Sequence, residues 1–226
     1  MLWADQAMSN RSIQIVVIGS GGFAEEIIDY LHALPPVAIV GVVDDHLRGE
    51  APSTVRGVPF LGSFDAALAA HPQARFVVAA GRPAFREDSC EQVLAAGREL
   101  FTVVHPSAIV APDAEIGPGC VIAPYAIVNA GARLNTGSVL NVFCSVGHGA
   151  CVGAYTVLSP YAAINGWAQT GRACFLGTRA TIYPRVRIGD RCEIDTHSYA
   201  KADVEDRMIV SVRSEYRVLK NRLEKR

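Results

Sequence analysis

His148 is the residue best suited to acid–base work, because a neutral imidazole takes and returns a proton near neutral pH. The residues 18 positions before and after it, Ala130 and Gly166, are both small. In a chain that stacks at that spacing they leave a recess beside the ring. Asn141 and Asn165 add polar groups on the same or adjacent repeats. A backbone N–H near Gly166 is placed to receive the oxyanion that forms when a nucleophile attacks a thioester. A solvent-facing histidine in a turn fits the same residues. A second constellation lies earlier, where Gly19-Ser20-Gly21-Gly22 follows an apolar run and opens a helical segment, with Asp44 and Asp45 downstream. It fits G-x-G-x-x-A, in which free N–H groups at a helix N-terminus seat a phosphate and the later acid meets a ribose. A tight turn with no ligand is the alternative. Cys144, His148 and Cys151 have spacing compatible with a metal, but Cys144 falls where the repeat points inward. Neither a G-x-S-x-G elbow nor an H-E-x-x-H motif is present.

The element that must position His148 is a six-residue repeat. Stepping by six from Val104 to Ala200 gives seventeen positions, of which fifteen are Val, Ile or Leu. Four residues after each stands a second column, nearly all small: Ala108, Ala114, Cys120, Ala126 and onward to Val204. Helices repeat near 3.6 and strands at 2, so neither accounts for this period. A large aliphatic residue that fills an interior and a small one that fits a tight corner describe one face of a triangular coil. Three hexads close a turn, and residues 18 apart stack at about 4.8 Å. The expected architecture is a left-handed parallel β-helix over 103–206. Cys120, Cys144, Cys174 and Cys192 fall in the small inward slot and act as small apolar residues.

Residues 13–102 follow another logic. Strands are expected at Ile13–Ile18, Val37–Val43 and Phe76–Ala80, and helices at Ala24–Leu34, Phe64–Ala70 and Pro83–Leu100. This alternation predicts a parallel sheet in a Rossmann-like α/β domain. Three strands are too few for two mononucleotide halves, so a single nucleotide or nucleotide-sugar fits better than NAD. Residues 207–226 are read as a strand, Met208–Val212, and a capping helix, Glu215–Arg226, that covers the last coil. The net charge of −1 excludes a basic nucleic-acid footprint. No apolar run is long enough for a membrane span. The stretch Met1–Ser12 reads as a loose tail without a signal-peptide core, and the expected location is cytoplasmic.

On the glycine turn Gly19–Gly22, the Asp44-Asp45 pair, the lead-in Val103–Pro106 and the segment from Leu140-Asn141 through His148 to Pro160, the chain resembles a known family. This is the sialic acid O-acetyltransferase and bacillosamine N-acetyltransferase group of left-handed β-helix acyltransferases. The resemblance covers nearly all of residues 13–205. It implies a homotrimer with acetyl-CoA in the groove between neighbouring prisms, and no metal. It also implies His148 as general base, and Gly166, Gly177 and Thr178 beside the coenzyme arm. Gly19, Ser20, Gly21, Gly22, Asp44, Asp45, Gly81 and Arg82 would lie near a nucleotide-linked amino sugar, with Asn141 on the substrate side. The chain departs from the family at four places. Gly149 replaces the acid that usually follows the histidine, and Val157 replaces a second histidine nine residues on. Phe23 stands for a histidine of the glycine loop, and Ser211-Val212-Arg213-Ser214 replaces Gly-x-Pro-Ala. The expected activity is N-acetylation of a nucleotide-linked 4-amino-deoxysugar. The alternatives are O-acetylation of a free sugar such as sialic acid, and a non-catalytic trimeric scaffold.

Overall fold

The structure is a computed structural model that describes residues 12–34, 36–47 and 50–212. The expected capping helix at Glu215–Arg226 lies outside these residues. The first layer is a five-stranded sheet built from β1 (Ile13–Ile18), β2 (Val37–Val43), β3 (Thr54–Val55), β4 (Val58–Gly62) and β5 (Arg75–Val78). Its order is β3-β4-β2-β1-β5, parallel except for the β3–β4 hairpin. Three strands were expected. The two added ones are a short hairpin whose turn, Arg56-Gly57, takes positive φ at both residues, so it carries no long apolar run.

Helices α1 (Gly22–His32), α2 (Phe64–Ala70) and α3 (Pro83–Ala95) flank the sheet. Helix α1 starts two residues before the expected boundary, capped by the backbone of Gly21 alone. Helix α3 ends at Ala95 rather than Leu100. Gly97 takes φ +66° there, and the N–H groups of Gly97 and Arg98 close back on Leu94 and Val93. The chain then runs along the β5 edge, where Phe101 N–H donates to the Phe76 carbonyl, and passes straight into the first coil at Val103.

From Val103 every strand is two residues long and pairs in parallel with the strand 18 positions on, except in the last coil, where Ile188 meets Val204 and Glu193–Ile194 pairs with Ile209–Val210, each 16 positions on. Three stacked sheets result, of seven, six and five strands. The seven-stranded sheet starts at Val103–Val104 and carries Val139–Leu140. The six-stranded one starts at Ile109–Val110 and carries Ser145–Val146. The five-stranded one starts at Glu115–Ile116 and carries Cys151–Val152. The aliphatic and small columns form one continuous core running from Ala114 to Ala200. Thr170 breaks the aliphatic column, and its hydroxyl accepts from the Gly153 N–H at 2.9 Å. The inward thiols donate to carbonyls one coil on, as Cys144 Sγ does to Ser159 at 3.0 Å and Cys192 Sγ to Glu205 at 2.9 Å.

The seven-stranded sheet turns its outer residues toward the α/β layer. Val103, Val121, Val139 and Val157 are buried against the cluster that includes Ile27, Ile28 and Leu31. Arg86 of α3 bolts the two layers together. It is fully buried and donates to the carbonyls of Val78, Gly119 and Gly137. Around it, Arg172 pairs with Glu87 and Glu91, and Arg191 with Glu87. No helix among the described residues is long and apolar enough to cross a membrane.

Two measurements test this packing. Arg86→Met leaves two corner carbonyls without donors, and chemical denaturation is expected to show a loss of about 3 kcal/mol, since bonds to charged donors contribute ~1.5–3 kcal/mol each. Burial pushes the Cys90 and Cys174 thiols up to about 11 and Cys144 to about 12, while Cys151 is partly exposed. A thiol reagent at pH 8 is therefore expected to titrate Cys151 alone, and all six cysteines in urea.

Candidate active site

Each coil has three corners, and the chemistry-bearing residues divide among them. The first corner joins the seven-stranded sheet to the six-stranded one and holds Asn141, Gly177 and Thr178. The second joins the six-stranded sheet to the five-stranded one and holds Gly147-His148-Gly149 and Asn165-Gly166-Trp167. The third returns to the seven-stranded sheet and packs on α3. Asn141 and His148 thus stand at opposite ends of one strand, Ser145–Val146, and do not meet within one chain.

At the second corner His148 is exposed and its ring lies over Gly166. A Cβ on Gly166 would come within 2.6 Å of both His148 Cε1 and Nε2. The recess read from the 18-residue spacing is therefore real and filled by the imidazole edge. The Trp167 ring meets the histidine edge-to-face, with centroids 6.0 Å apart and planes at 82°. Among the described residues no side chain hydrogen-bonds to either ring nitrogen. The Gly166 N–H donates to no backbone carbonyl among the described residues either. Asn165 is structural, its amide donating to the Ile182 carbonyl at 2.8 Å. The Cys144–His148–Cys151 set does not converge, because Cys144 is fully buried inside the coil while His148 faces out.

At the first corner Asn141 Oδ1 accepts from its neighbour, the Val142 N–H, at 2.7 Å. Gly177 is glycine for space: a Cβ there would lie 2.6 Å from the Thr196 nitrogen. Beside these residues Tyr125, Phe143 and Tyr161 stack with centroids 5.2 and 4.9 Å apart, and the Arg179 guanidinium caps Tyr161 at 4.7 Å. All three rings are about half exposed. The departures at Val157 and Phe23 have a packing cause, since both side chains sit in the contact between the two layers.

The α/β layer holds a cleft of about 190 Å³ at the C-terminal ends of β1 and β2. Gly19, Ser20, Gly21, Asp44 and Asp45 line it, whereas Gly22, Gly81 and Arg82 lie outside the lining. Gly19 takes φ +109° and passes close to the Ala79 carbonyl, where a Cβ would sit at 3.1 Å. Asp44 clamps the glycine turn: Oδ2 accepts from the Ser20 N–H at 3.0 Å and the Ser20 hydroxyl at 2.7 Å, and Oδ1 from the His46 N–H at 3.0 Å. Asp45 caps α2 through the Phe64 N–H at 3.0 Å. The opposing wall, Phe85, Ser89 and Gln92, was not read from the sequence. Its i, i+4, i+7 spacing on α3 was the available signal. Phe85 packs on His46 with ring centroids 5.5 Å apart.

Two family profiles match, the PglD N-terminal domain over residues 14–93 and the GMPPB C-terminal domain over residues 101–210. Among solved structures, the acetyltransferase domain of PglB from Neisseria gonorrhoeae FA1090 in complex with acetyl coenzyme A is 28% identical. The match covers 88% of this chain and 95% of that one, with a TM-score of 0.80. A His-to-Asn mutant of perosamine N-acetyltransferase from Caulobacter crescentus, in complex with CoA and GDP-perosamine, is 26% identical. It covers 89% of this chain and 97% of that one, with a TM-score of 0.81. WeeI from Acinetobacter baumannii AYE, at 20% identity and TM-score 0.79, shares the fold. No curated protein matches by sequence. Fold and similarity define the class, an acyltransferase built on a left-handed β-helix. Within that class the chain is similar to perosamine N-acetyltransferase and to the acetyltransferase domain of PglB, and its own residues 14–93 match the PglD N-terminal domain.

The Asp44 clamp is testable apart from activity. Asp44→Ala releases two donors of the glycine turn and the His46 N–H, and denaturation is expected to show a loss of about 1–3 kcal/mol, the cost of leaving such donors unpaired.

Proposed function

We propose that the protein transfers an acetyl group from acetyl-CoA to the 4-amino group of a nucleotide-linked 4-amino-deoxysugar, with His148 as general base. The observation that carries this reading is the imidazole edge seated over Gly166, with Cε1 and Nε2 where a Cβ would otherwise stand. That contact holds a proton acceptor at an exposed corner beside the Gly166 backbone. As the amine nitrogen attacks the thioester carbonyl, His148 takes the amine proton, and CoA leaves as the thiol once it is reprotonated. The Gly166 N–H receives the developing oxyanion. Holding amine and thioester together supplies much of the remaining rate.

The nucleotide occupies the α/β cleft. Its phosphates face the Gly21–Phe23 end of α1, whose first N–H groups are left without a side-chain cap. Ser20, Asp44 and Asp45 shape this end, with Gly22, Gly81 and Arg82 just beyond it. The similarity to a structure holding GDP-perosamine and CoA supports an amino sugar and a CoA thioester as the substrate pair.

The assembly is a homotrimer. His148 and Gly166 stand on the second corner, while Asn141, Gly177 and Thr178 stand on the first. A ring of heterologous contacts brings the first corner of one prism against the second corner of the next, and so completes one coenzyme groove from two chains. The exposed stack of Tyr125, Phe143 and Tyr161 supplies apolar surface at the first corner for such a contact. Nucleotide sugars and acyl-CoA are cytoplasmic metabolites, which supports a cytoplasmic site of action.

Thiol release from acetyl-CoA, measured with a panel of UDP- and GDP-linked 4-amino sugars and with free sialic acid, tests the reading. A 4-amino sugar is expected to give turnover. His148→Ala is expected to lower kcat/KM by about 10²–10⁴-fold, and Gly166→Ala to do likewise by displacing the ring. Undiminished activity in His148→Ala removes the assigned base, and turnover confined to sialic acid replaces N- with O-acetylation.

A further inference from the structure

His148 is left without the carboxylate that a base of this kind normally leans on. Gly149 follows it, and among the described residues no side chain hydrogen-bonds to its ring. The space next to it is nonetheless occupied. A Cβ built on Gly149 would lie 2.4 Å from Trp167 Cε3 and 2.5 Å from Cζ3. The indole covers the Gly149 backbone and turns its ring system at 82° to the imidazole, 6.0 Å away between centroids. The backbone locks this arrangement, since the Trp167 N–H donates to the His148 carbonyl at 2.9 Å. Trp167 takes φ +62° and Gly149 φ +63°, the left-handed corner conformation that glycine adopts freely and a large side chain does not. A tryptophan held there at 54% exposure adds little to the core. What it does contact is the histidine.

We propose that Trp167 is the positioning residue of His148, standing in for the missing acid, and that position 149 is glycine because the indole fills its side-chain space. Gly166 lies under one edge of the ring and Trp167 meets it edge-to-face from the same neighbouring coil, so that the imidazole keeps one orientation without a hydrogen-bonding partner. An edge-to-face pair supplies this by its geometry. The proposal rests on acetyl transfer with His148 as base, and it makes residues 149 and 167 a coupled pair: an acid at 149 requires a small residue at 167.

The test combines kinetics with a spectroscopic readout on the whole protein. In Trp167→Leu, kcat is expected to fall about 5- to 10-fold, the scale of one aromatic pair, with KM for acetyl-CoA and for the amino sugar unchanged. Trp167→Phe is expected to recover most of it. The NMR signal of the His148 Hε1 proton, assigned by its loss in His148→Gln, is expected to carry a ring-current shift that Trp167→Leu abolishes and Trp167→Phe retains. Gly149→Asp alone is expected to be impaired, and combining it with Trp167→Ala to raise kcat above that of Trp167→Ala. An unchanged kcat in Trp167→Leu despite loss of the ring-current shift overturns the positioning role. A raised KM for acetyl-CoA at constant kcat overturns it too, by making Trp167 a coenzyme contact. The two readings fail separately: a wild type inactive on every sugar overturns acetyl transfer even when the ring-current shift is present, and an active wild type indifferent to Trp167 overturns the positioning alone.

Discussion

The whole structure depends on the return of the chain to the same place every 18 residues. Each coil must close within one parallel-strand spacing, so its three corners turn sharply in the same hand. The φ values near +60° at Tyr125, Phe143, Tyr161, Trp167 and Arg185 show the corner residue bearing this requirement. For a residue with a Cβ that conformation costs about 1–2 kcal/mol. The compensation is contact with the equivalent corner one coil away. Tyr125, Phe143 and Tyr161 stack on one another, and Trp167 lies across Gly149. Corners are therefore where side chains are both strained and pre-positioned.

This explains where chemistry can sit on such a prism. Face residues alternate between the core and the outside; on the seven-stranded sheet the outside is the α/β layer, while on the other two sheets residues such as Ile109, Ile127 and Arg133 are exposed. Val157 illustrates the seven-stranded case: it packs between the layers and is not available to a ligand. The third corner is occupied by α3 through Arg86 and the Arg172–Glu87–Glu91 cluster. The first and second corners are left, and the candidate catalytic and coenzyme residues fall on these two. The α/β layer is rigidly seated by the same contacts, which place its cleft on the side of α3 that carries Phe85, Ser89 and Gln92.

Much of this was legible from residue types. The hexad frame located the coils from Val103 onward, the inward cysteines and the recess beside His148, because each depends only on a spacing that sequence preserves. Strands β1 and β2 were legible because they are continuous apolar runs bounded by turn residues. The β3–β4 hairpin was not, since two- and five-residue strands around Arg56-Gly57 leave no periodic signal. Asp44 was legible as an acid beside the glycine turn, but not as the clamp on Ser20 and His46, because hydrogen-bond partners across a sheet carry no sequence offset. The carboxylate missing at Gly149 was visible as an absence. The indole that fills its place came to light only in space, 18 residues away on the next coil.

The sequence alone determined the repeat, the small and large columns and the identity of the exposed histidine, since period and side-chain volume are properties of the chain. Only the tertiary structure decided which corner each polar residue occupies, that Asn141 and His148 stand apart, that Arg86 joins the layers, and that Trp167 flanks the base. Those outcomes depend on the hand of the turn and on contacts between residues far apart in the chain. Periodicity constrains which residues stack, but not what the third dimension brings beside them.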